Sequence, residues 1–211
     1  MKLFLKKKNK DIVGYFLIIV HIVGAIGISI ESSRNIFLFL VPYNLILTFI
    51  LSFFYVSIVK YFRPIFLIFL LGFFFELIGV KTGILFGEYS YGDTLGFKVL
   101  NIPLVIGLNW AVLSLATYSL FSHFLNNKYM LIIFSSLSMV LLDLIIEPVA
   151  IKFSFWSWAA SSVPIQNYIM WFFISIIMHI ILLLYKANVH YKFGLYIILS
   201  QAVFFIYLNL I

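Results

Sequence analysis

The sequence predicts an all-α integral membrane protein, a bundle of about seven transmembrane helices with a folded outer loop. Of the 211 residues, 64% are hydrophobic and 10% are charged, and the mean hydropathy is +1.16. Such a composition excludes a water-soluble globule. The apolar residues form long runs, each close to the ~20 residues that cross about 30 Å of hydrocarbon. These runs lack the alternation of apolar and polar residues that is typical of membrane β-barrel strands.

The seven apolar runs are expected to be the helices, in chain order. They cover residues 12–30, 36–59, 64–80, 103–125, 129–150, 167–185 and 193–210. The longest segment between two runs, residues 81–102, contains four glycines among apolar and aromatic residues. Because glycine permits tight turns and close backbone approach, we expect this segment to form an ordered cap on the bundle. No repeat or domain-sized linker interrupts the chain, so residues 1–211 are predicted to form a single transmembrane domain.

The basic residues predict how the bundle is oriented. With the amino terminus inside, ten lie in inner loops: Lys2, Lys6, Lys7, Lys8, Lys10, Lys60, Arg63, Lys128, Lys186 and Lys192. Four then lie outside: Arg34, Lys81, Lys98 and Lys152. This excess predicts a cytoplasmic amino terminus, in a bacterial inner membrane or an equivalent. The net charge of +7 is then an insertion signal that favours anionic lipid, not a nucleic-acid surface.

Three acidic residues are expected at one depth near the outer surface. Glu76 falls near the outer end of helix three, and Asp143 and Glu147 fall near the outer end of helix five. Each intramembrane acid costs roughly 2.5–3.5 kcal/mol, so three at one level predict a cavity that faces the bundle.

Asp143 and Glu147 are four residues apart and share one helical face. In a low dielectric the two carboxyl groups are not both ionised, so one retains a proton and acts as an acid. The other is then a base or an electrostatic partner. The alternative is that these acids merely end their helices at the lipid headgroups.

Amide and aromatic side chains are expected to line the same cavity. Those on helices four and six are Asn109, Trp110, Asn167 and Trp171, and those in the outer loops are Tyr89, Tyr91, Trp156 and Trp158. An interfacial aromatic belt is the alternative role for the four loop residues. Glu88 and Asp93 also lie in the outer loop, where we expect solvated charges and not site residues.

Several kinds of chemistry are not expected from this sequence. It has no cysteine, which excludes a thiolate nucleophile, an iron–sulfur cluster and a zinc–thiolate site. Its four histidines never occur at i, i+4 spacing, so a non-haem iron centre is not predicted. A Gly-rich dinucleotide fingerprint and a phosphate-binding loop are also missing. We therefore predict a site without metal or cofactor.

Six groups of residues follow one another between residues 75 and 172. They are Glu76-Leu77-Ile78-Gly79-Val80-xx-Gly83; Phe86-Gly87-x-Tyr89-x-Tyr91; Leu95-Gly96, Pro103 and Trp110; Asp143-xxx-Glu147-Pro148; Trp156-x-Trp158; and Pro164-xx-Asn167-xxx-Trp171. In this order they resemble the membrane-bound carotenoid 1,2-hydratases of the bisanhydrobacterioruberin or γ-carotene hydratase type. That family commonly has Asp-Pro in place of Glu147-Pro148, and a Tyr/Gly-containing segment in place of residues 159–163.

The resemblance implies a cofactor-independent enzyme that adds water to the terminal C1=C2 double bond of an acyclic carotenoid end. A carboxylic acid among Asp143, Glu147 and Glu76 would protonate C2, and water would capture the cation at C1 to give a tertiary alcohol. Electron-rich rings such as Trp110 and Trp171 would stabilise the cation. The implied partners are a hydrophobic carotenoid, water and the lipid bilayer.

Two other functions remain open from the residues alone. A lycopene-cyclase-like enzyme begins with a similar protonation, but an internal double bond captures the cation and a ring results. A proton-coupled transporter would use Glu76, Asp143 and Glu147 as a relay. It would need polar residues that continue to the inner face, where the sequence offers His21 and His179.

Overall fold

Seven long helices make up the computed structural model, which describes the backbone of residues 2–211 and the side chains of residues 10–211. They are α1 Lys2–Ser29, α2 Glu31–Ser52, α3 Ile58–Thr82, α4 Leu104–Phe124, α5 Lys128–Lys152, α6 Ile165–Leu184 and α7 Lys192–Leu210. Each contains a stretch long and apolar enough to cross a membrane, which confirms the predicted fold class. The side chains of Lys2, Lys6, Lys7 and Lys8 lie outside the described residues, and the predicted orientation stays a prediction.

Helix α4 is the centre of the bundle. Of its membrane-spanning stretch, 72% is buried, and it packs against α2, α3, α5, α6 and α7. Small residues allow this close packing. A Cβ atom on Gly194 of α7 would lie 2.2 Å from the carbonyl oxygen of Ala116, and one on Gly107 would lie 2.8 Å from that of Phe69 on α3.

The turn between α2 and α3 differs from the prediction. Helix α2 ends at Ser52, not at residue 59, and α3 begins at Ile58, not at residue 64. The apolar residues of this turn pack inside the protein. Tyr55 is buried, its hydroxyl donates to the carbonyl oxygen of Lys10 (2.5 Å), and its own carbonyl accepts from the backbone of His190 (3.1 Å). Hydropathy alone does not distinguish such a buried turn from a span.

The segment between α3 and α4 folds onto the bundle and contains most of the strands, which the sequence did not predict. The strands are β1 Tyr89–Tyr91, β2 Lys98–Val99, β3 Ile102–Pro103 and β4 Trp156–Trp158. Strand β1 pairs antiparallel with β4 from the α5–α6 connection, and β2 pairs antiparallel with β3. We call the β1–β4 pair the aromatic cap, and the end of the bundle that it covers the cap end.

Glycines fix the path of the chain into the aromatic cap. Gly83 ends α3 in the left-handed region (φ 67°), where its N–H donates to the Gly79 carbonyl oxygen (2.8 Å). Gly87 also has a positive φ, of 103°. Between them the buried ring of Phe86 lies against Gly79, where a Cβ atom would approach it to 2.4 Å. The segment is therefore anchored at α3 before it reaches β1.

We predict that Gly92→Ala separates the two strands of the aromatic cap. A Cβ atom on Gly92 would lie 2.0 Å from the carbonyl oxygen of Ser154. This oxygen belongs to the backbone just before β4, so relieving the clash requires the backbone next to β4 to move. Hydrogen–deuterium exchange in nanodiscs should become faster at residues 89–91 and 156–158. Gly24→Ala is the control, since its Cβ atom would have a nearest contact of 3.5 Å with the Phe204 ring. Equal protection of the cap in both variants would contradict the prediction.

Candidate active site

A single cavity at the cap end brings together all eleven predicted site residues. They are Glu76, Tyr89, Tyr91, Asn109, Trp110, Asp143, Glu147, Trp156, Trp158, Asn167 and Trp171, with Phe86, Ile106 and Ile146 completing the wall. We call this cavity the acid chamber. Its volume is about 40 Å³, and roughly 10–15 Å³ of such space is enough to hold a water molecule.

The three carboxyl groups of the acid chamber are removed from solvent. Glu76 is 4% exposed, Asp143 1% and Glu147 2%. Helix α3 supplies the first and α5 the other two. Because burial of an unpaired charge is costly, the hydrogen bonds of each carboxyl group indicate whether its ionised form is stabilised.

Glu76 is saturated with hydrogen-bond donors. Its Oε2 accepts from the hydroxyls of Tyr89 (2.5 Å) and Tyr91 (2.6 Å), and its Oε1 accepts from the indole N–H of Trp110 (3.0 Å). The Trp110 ring is itself held by stacking on Trp171, with ring centroids 4.1 Å apart. Three donors hold the Glu76 carboxyl group in one position and can stabilise its ionised form.

Glu147 is held in a similar way by different residues. Its Oε2 accepts from the indole N–H groups of Trp156 and Trp158, both at 2.9 Å. Its Oε1 accepts from the side-chain amide of Asn167 at 3.3 Å. This carboxyl group also has a donor on each oxygen.

Asp143 differs from the other two acids. Its Oδ2 accepts from the Asn167 amide at 2.7 Å, so this amide bridges Asp143 and Glu147. Its Oδ1 is buried, and among residues 10–211 no side chain or backbone group hydrogen bonds to it. Asp143 is thus the carboxyl group with an oxygen available to carry a proton.

The aromatic cap supplies four of these donors because of its strand geometry. Side chains alternate along a strand, so Tyr89 and Tyr91 of β1 face the bundle together with Trp156 and Trp158 of β4, while the serines between them are exposed. Burial, with the nearby Glu76 carboxylate, raises the pKa of both tyrosine hydroxyls above the ordinary value. Both phenols are therefore neutral donors at physiological pH.

This strand pairing had a signal in the sequence. Residues 89–91 and 156–158 both read aromatic–Ser–aromatic, and i, i+2 spacing places both rings of each segment on one face of a strand. The pairing partner of each segment was not predicted.

The two loop acids lie outside the acid chamber. Glu88 is exposed, and Asp93 is exposed with its carboxylate 2.7 Å from the Lys98 ammonium group. The hydrogen bond from Lys98 lowers the pKa of Asp93. Their placement is that expected of solvated loop charges.

A second cavity of about 80 Å³ adjoins the acid chamber. The two cavities share Ile106, Asn109, Ile146 and Trp156 in their walls. The second extends between α1, α2 and α7, where its polar lining residues are His21, Asn44 and Gln201. We call it the middle chamber. Of these three residues only His21 was predicted as a polar group within a helix, because Asn44 and Gln201 lie singly within apolar runs.

Fold and site together define a polytopic membrane protein with a capped, carboxyl-lined cavity at one end of a helical bundle. The chain belongs to the carotenoid biosynthesis protein family, whose model matches residues 36–211. The match includes every residue that lines the acid chamber.

One curated relative is named bisanhydrobacterioruberin hydratase and comes from Haloarcula japonica. It is 35% identical over 104 residues, which cover 46% of this chain and 36% of the relative. The chain thus aligns with little more than a third of that protein. No solved structure matches the chain.

We predict that Tyr91→Phe destabilises the protein because it removes one of the two phenol donors of the buried Glu76 Oε2. A hydrogen bond to a charged group is worth about 1.5–3 kcal/mol, so the free energy of unfolding in detergent should fall by about that amount. Tyr43→Phe is a matched control at a 55% exposed position of α2 and should leave it unchanged. Equal melting temperatures for the two variants would show that Tyr91 does not stabilise Glu76.

Proposed function

We propose that this protein is a carotenoid hydratase that adds water to the terminal C1=C2 double bond of an acyclic carotenoid end. The observation that carries the proposal is the contrast among the buried acids. Glu76 and Glu147 have donors on both oxygens, whereas Asp143, which also lines the acid chamber, has a buried Oδ1 with no hydrogen-bond partner among the described residues. Family membership and the hydratase name of the aligned relative support this choice of chemistry.

The first step is proton transfer from Asp143 to the substrate. Two carboxyl groups one helical turn apart in a poorly solvated site share one proton, because ionising both is unfavourable. The donors on Glu147 keep that residue ionised and leave the proton on Asp143. The π bond of the substrate breaks as its electrons take the proton at C2, and a tertiary cation forms at C1.

The cation is stabilised by charges and rings already in place. Glu76 and Glu147 act as fixed anions, and the stacked rings of Trp110 and Trp171 present electron-rich surfaces to the chamber. Their hydrogen bonds orient these groups before the substrate arrives. No reorganisation is then needed as positive charge develops.

Water completes the reaction and restores the enzyme. The water oxygen forms a bond to C1, and the proton it loses returns to the Asp143–Glu147 pair. The net change is one alkene plus one water to one tertiary alcohol. The chain's own carboxyl groups perform both proton transfers, so neither an oxidant nor a redox cofactor takes part.

The substrate end has an apolar surface to lie against. Ile106, Ile146 and Trp156 form part of the wall shared by the acid chamber and the middle chamber. The methyl groups at C1 pack there with the double bond toward Asp143, while the polyene extends between helices into the lipid. With the amino terminus cytoplasmic, the acid chamber lies toward the outer surface of a bacterial inner membrane.

Expression in a lycopene-accumulating bacterium tests the reaction directly. We predict pigments heavier by one water per modified end, formed equally well without oxygen. In cells grown in ¹⁸O-labelled water, the hydroxyl oxygen should carry the label. A cyclised product of unchanged mass would instead identify a cyclase, and label drawn from dioxygen would exclude hydration.

We predict that Asp143→Asn and Glu147→Gln each lower the rate of alcohol formation by about 10²–10⁴-fold, the usual effect of removing a proton-transfer group. Both substitutions preserve shape, so membrane levels should match wild type. Glu88→Gln and Asp93→Asn are the controls, because these acids are exposed on the loop, and they should remain close to wild-type activity. Near-wild-type product from both α5 variants, with Glu76→Gln inactive, would move the proton donor to α3.

A further inference from the structure

The middle chamber contains polar groups that the site described so far does not use. His21 is 6% exposed and Gln201 5%, and Asn44 is half-buried with its Oδ1 enclosed. Within residues 10–211, neither the amide oxygen of Asn44 nor that of Gln201 has a hydrogen-bond partner. Three helices, α1, α2 and α7, each contribute one of these residues to the same cavity.

The ring of His21 adds an acceptor to the two amide oxygens. Its Nδ1 lies 2.8 Å from the carbonyl oxygen of Leu17. A carbonyl oxygen only accepts, so Nδ1 carries the hydrogen, and Nε2 of the neutral ring is an acceptor. The residues that line the chamber therefore include three acceptors beside the N–H donors of the two amides, and water can bind to such a set because it both donates and accepts hydrogen bonds.

The free-energy cost of burying polar groups without hydrogen-bond partners indicates that these groups bind a ligand. A buried polar group without a partner costs about 1–3 kcal/mol, and polar residues within membrane helices are usually functional. A buried water needs two to four polar partners and roughly 10–15 Å³ of space. The middle chamber, at about 80 Å³, satisfies both requirements.

We propose that the middle chamber binds the water molecule that is added to the carotenoid cation. This inference rests on the proposed hydratase function. The bound water donates to the Gln201 and Asn44 amide oxygens or to His21, with a lone pair directed toward the acid chamber. Asn109 lines both chambers, so its side-chain amide lies beside the bound water as well as the acid chamber.

A water site in the middle chamber leaves the aromatic cap closed during the reaction. On the cap side, the tips of Tyr89, Tyr91, Trp156 and Trp158 are all engaged with Glu76 or Glu147. Water held in the middle chamber, whose wall includes Trp156 of the cap, attacks C1 without opening the aromatic cap. The C1–O bond forms as the cation accepts the oxygen lone pair, and the released proton passes to the Asp143–Glu147 pair.

The experiment compares capture of the cation with its return to alkene. Membranes containing wild type, Gln201→Met or Asn44→Leu are supplied with lycopene in D₂O. Both substitutions keep side-chain size while removing the hydrogen-bonding head. A cation that is not captured loses a proton or deuteron again and leaves deuterium in the recovered substrate. We expect the ratio of alcohol to deuterated substrate to fall about tenfold in each variant, the equivalent of one hydrogen bond.

Thr48→Val is the matched control. Thr48 lies one turn after Asn44 on α2 and its hydroxyl is likewise buried without a partner among the described residues, yet it does not line the chamber. Its ratio should equal that of wild type. A merely structural effect would lower alcohol and deuterium together and leave the ratio unchanged.

The outcomes separate this inference from the function on which it rests. Wild type that makes no alcohol would refute the hydratase function itself. Wild type that makes alcohol, with an unchanged ratio in Gln201→Met and Asn44→Leu, would overturn the water site alone. An unchanged ratio with a raised KM limited to hydroxylated carotenoids would assign the chamber to a substrate hydroxyl instead.

Discussion

The structure depends on one constraint: three carboxyl groups buried in a membrane bundle must each have hydrogen-bond donors. Lipid offers none, and loop water is excluded once the cap end is closed. The aromatic cap meets this need with two tyrosines for Glu76 and two tryptophans for Glu147. Rings that bury apolar area and end in a donor suit both the membrane interface and the acids beneath it. The same four side chains thus pack their rings against the bundle and donate hydrogen bonds to the buried acids.

The three carboxyl groups differ in their number of hydrogen-bond donors, and the proposed chemistry depends on this difference. In the proposed mechanism, equal hydrogen bonding of all three carboxyl groups would leave the shared proton without a preferred position. Asn167 binds Asp143 through one oxygen and leaves the other open, while Glu147 is bonded on both sides. The difference between Asp143 and Glu147 therefore arises from the hydrogen bonds that residues of β4 and α6 donate to them.

Polar residues stand out in an apolar chain, so the sequence alone groups the residues that line the acid chamber. Glu76, Asp143 and Glu147 were placed at one depth by helix direction alone, and all line one cavity. The sequence did not predict the pairing of strands that are far apart along the chain. Strands β1 and β4 join segments about 65 residues apart, and the aromatic–Ser–aromatic pattern of each segment does not show which segment it pairs with. Asn44 and Gln201 were missed for another reason, since a lone amide within an apolar run has no pattern around it.

The order of residues along the chain has a consequence for biogenesis. The donors to Glu76 follow it by 13, 15 and 34 residues, and those to Glu147 follow it by 9, 11 and 20. Each acid therefore leaves the ribosome shortly before its own partners. The partners of each acid therefore form a group that is local in the sequence, and the β1–β4 pairing joins the two groups. This order along the chain limits how long a nascent helix exposes an unpaired acid to lipid.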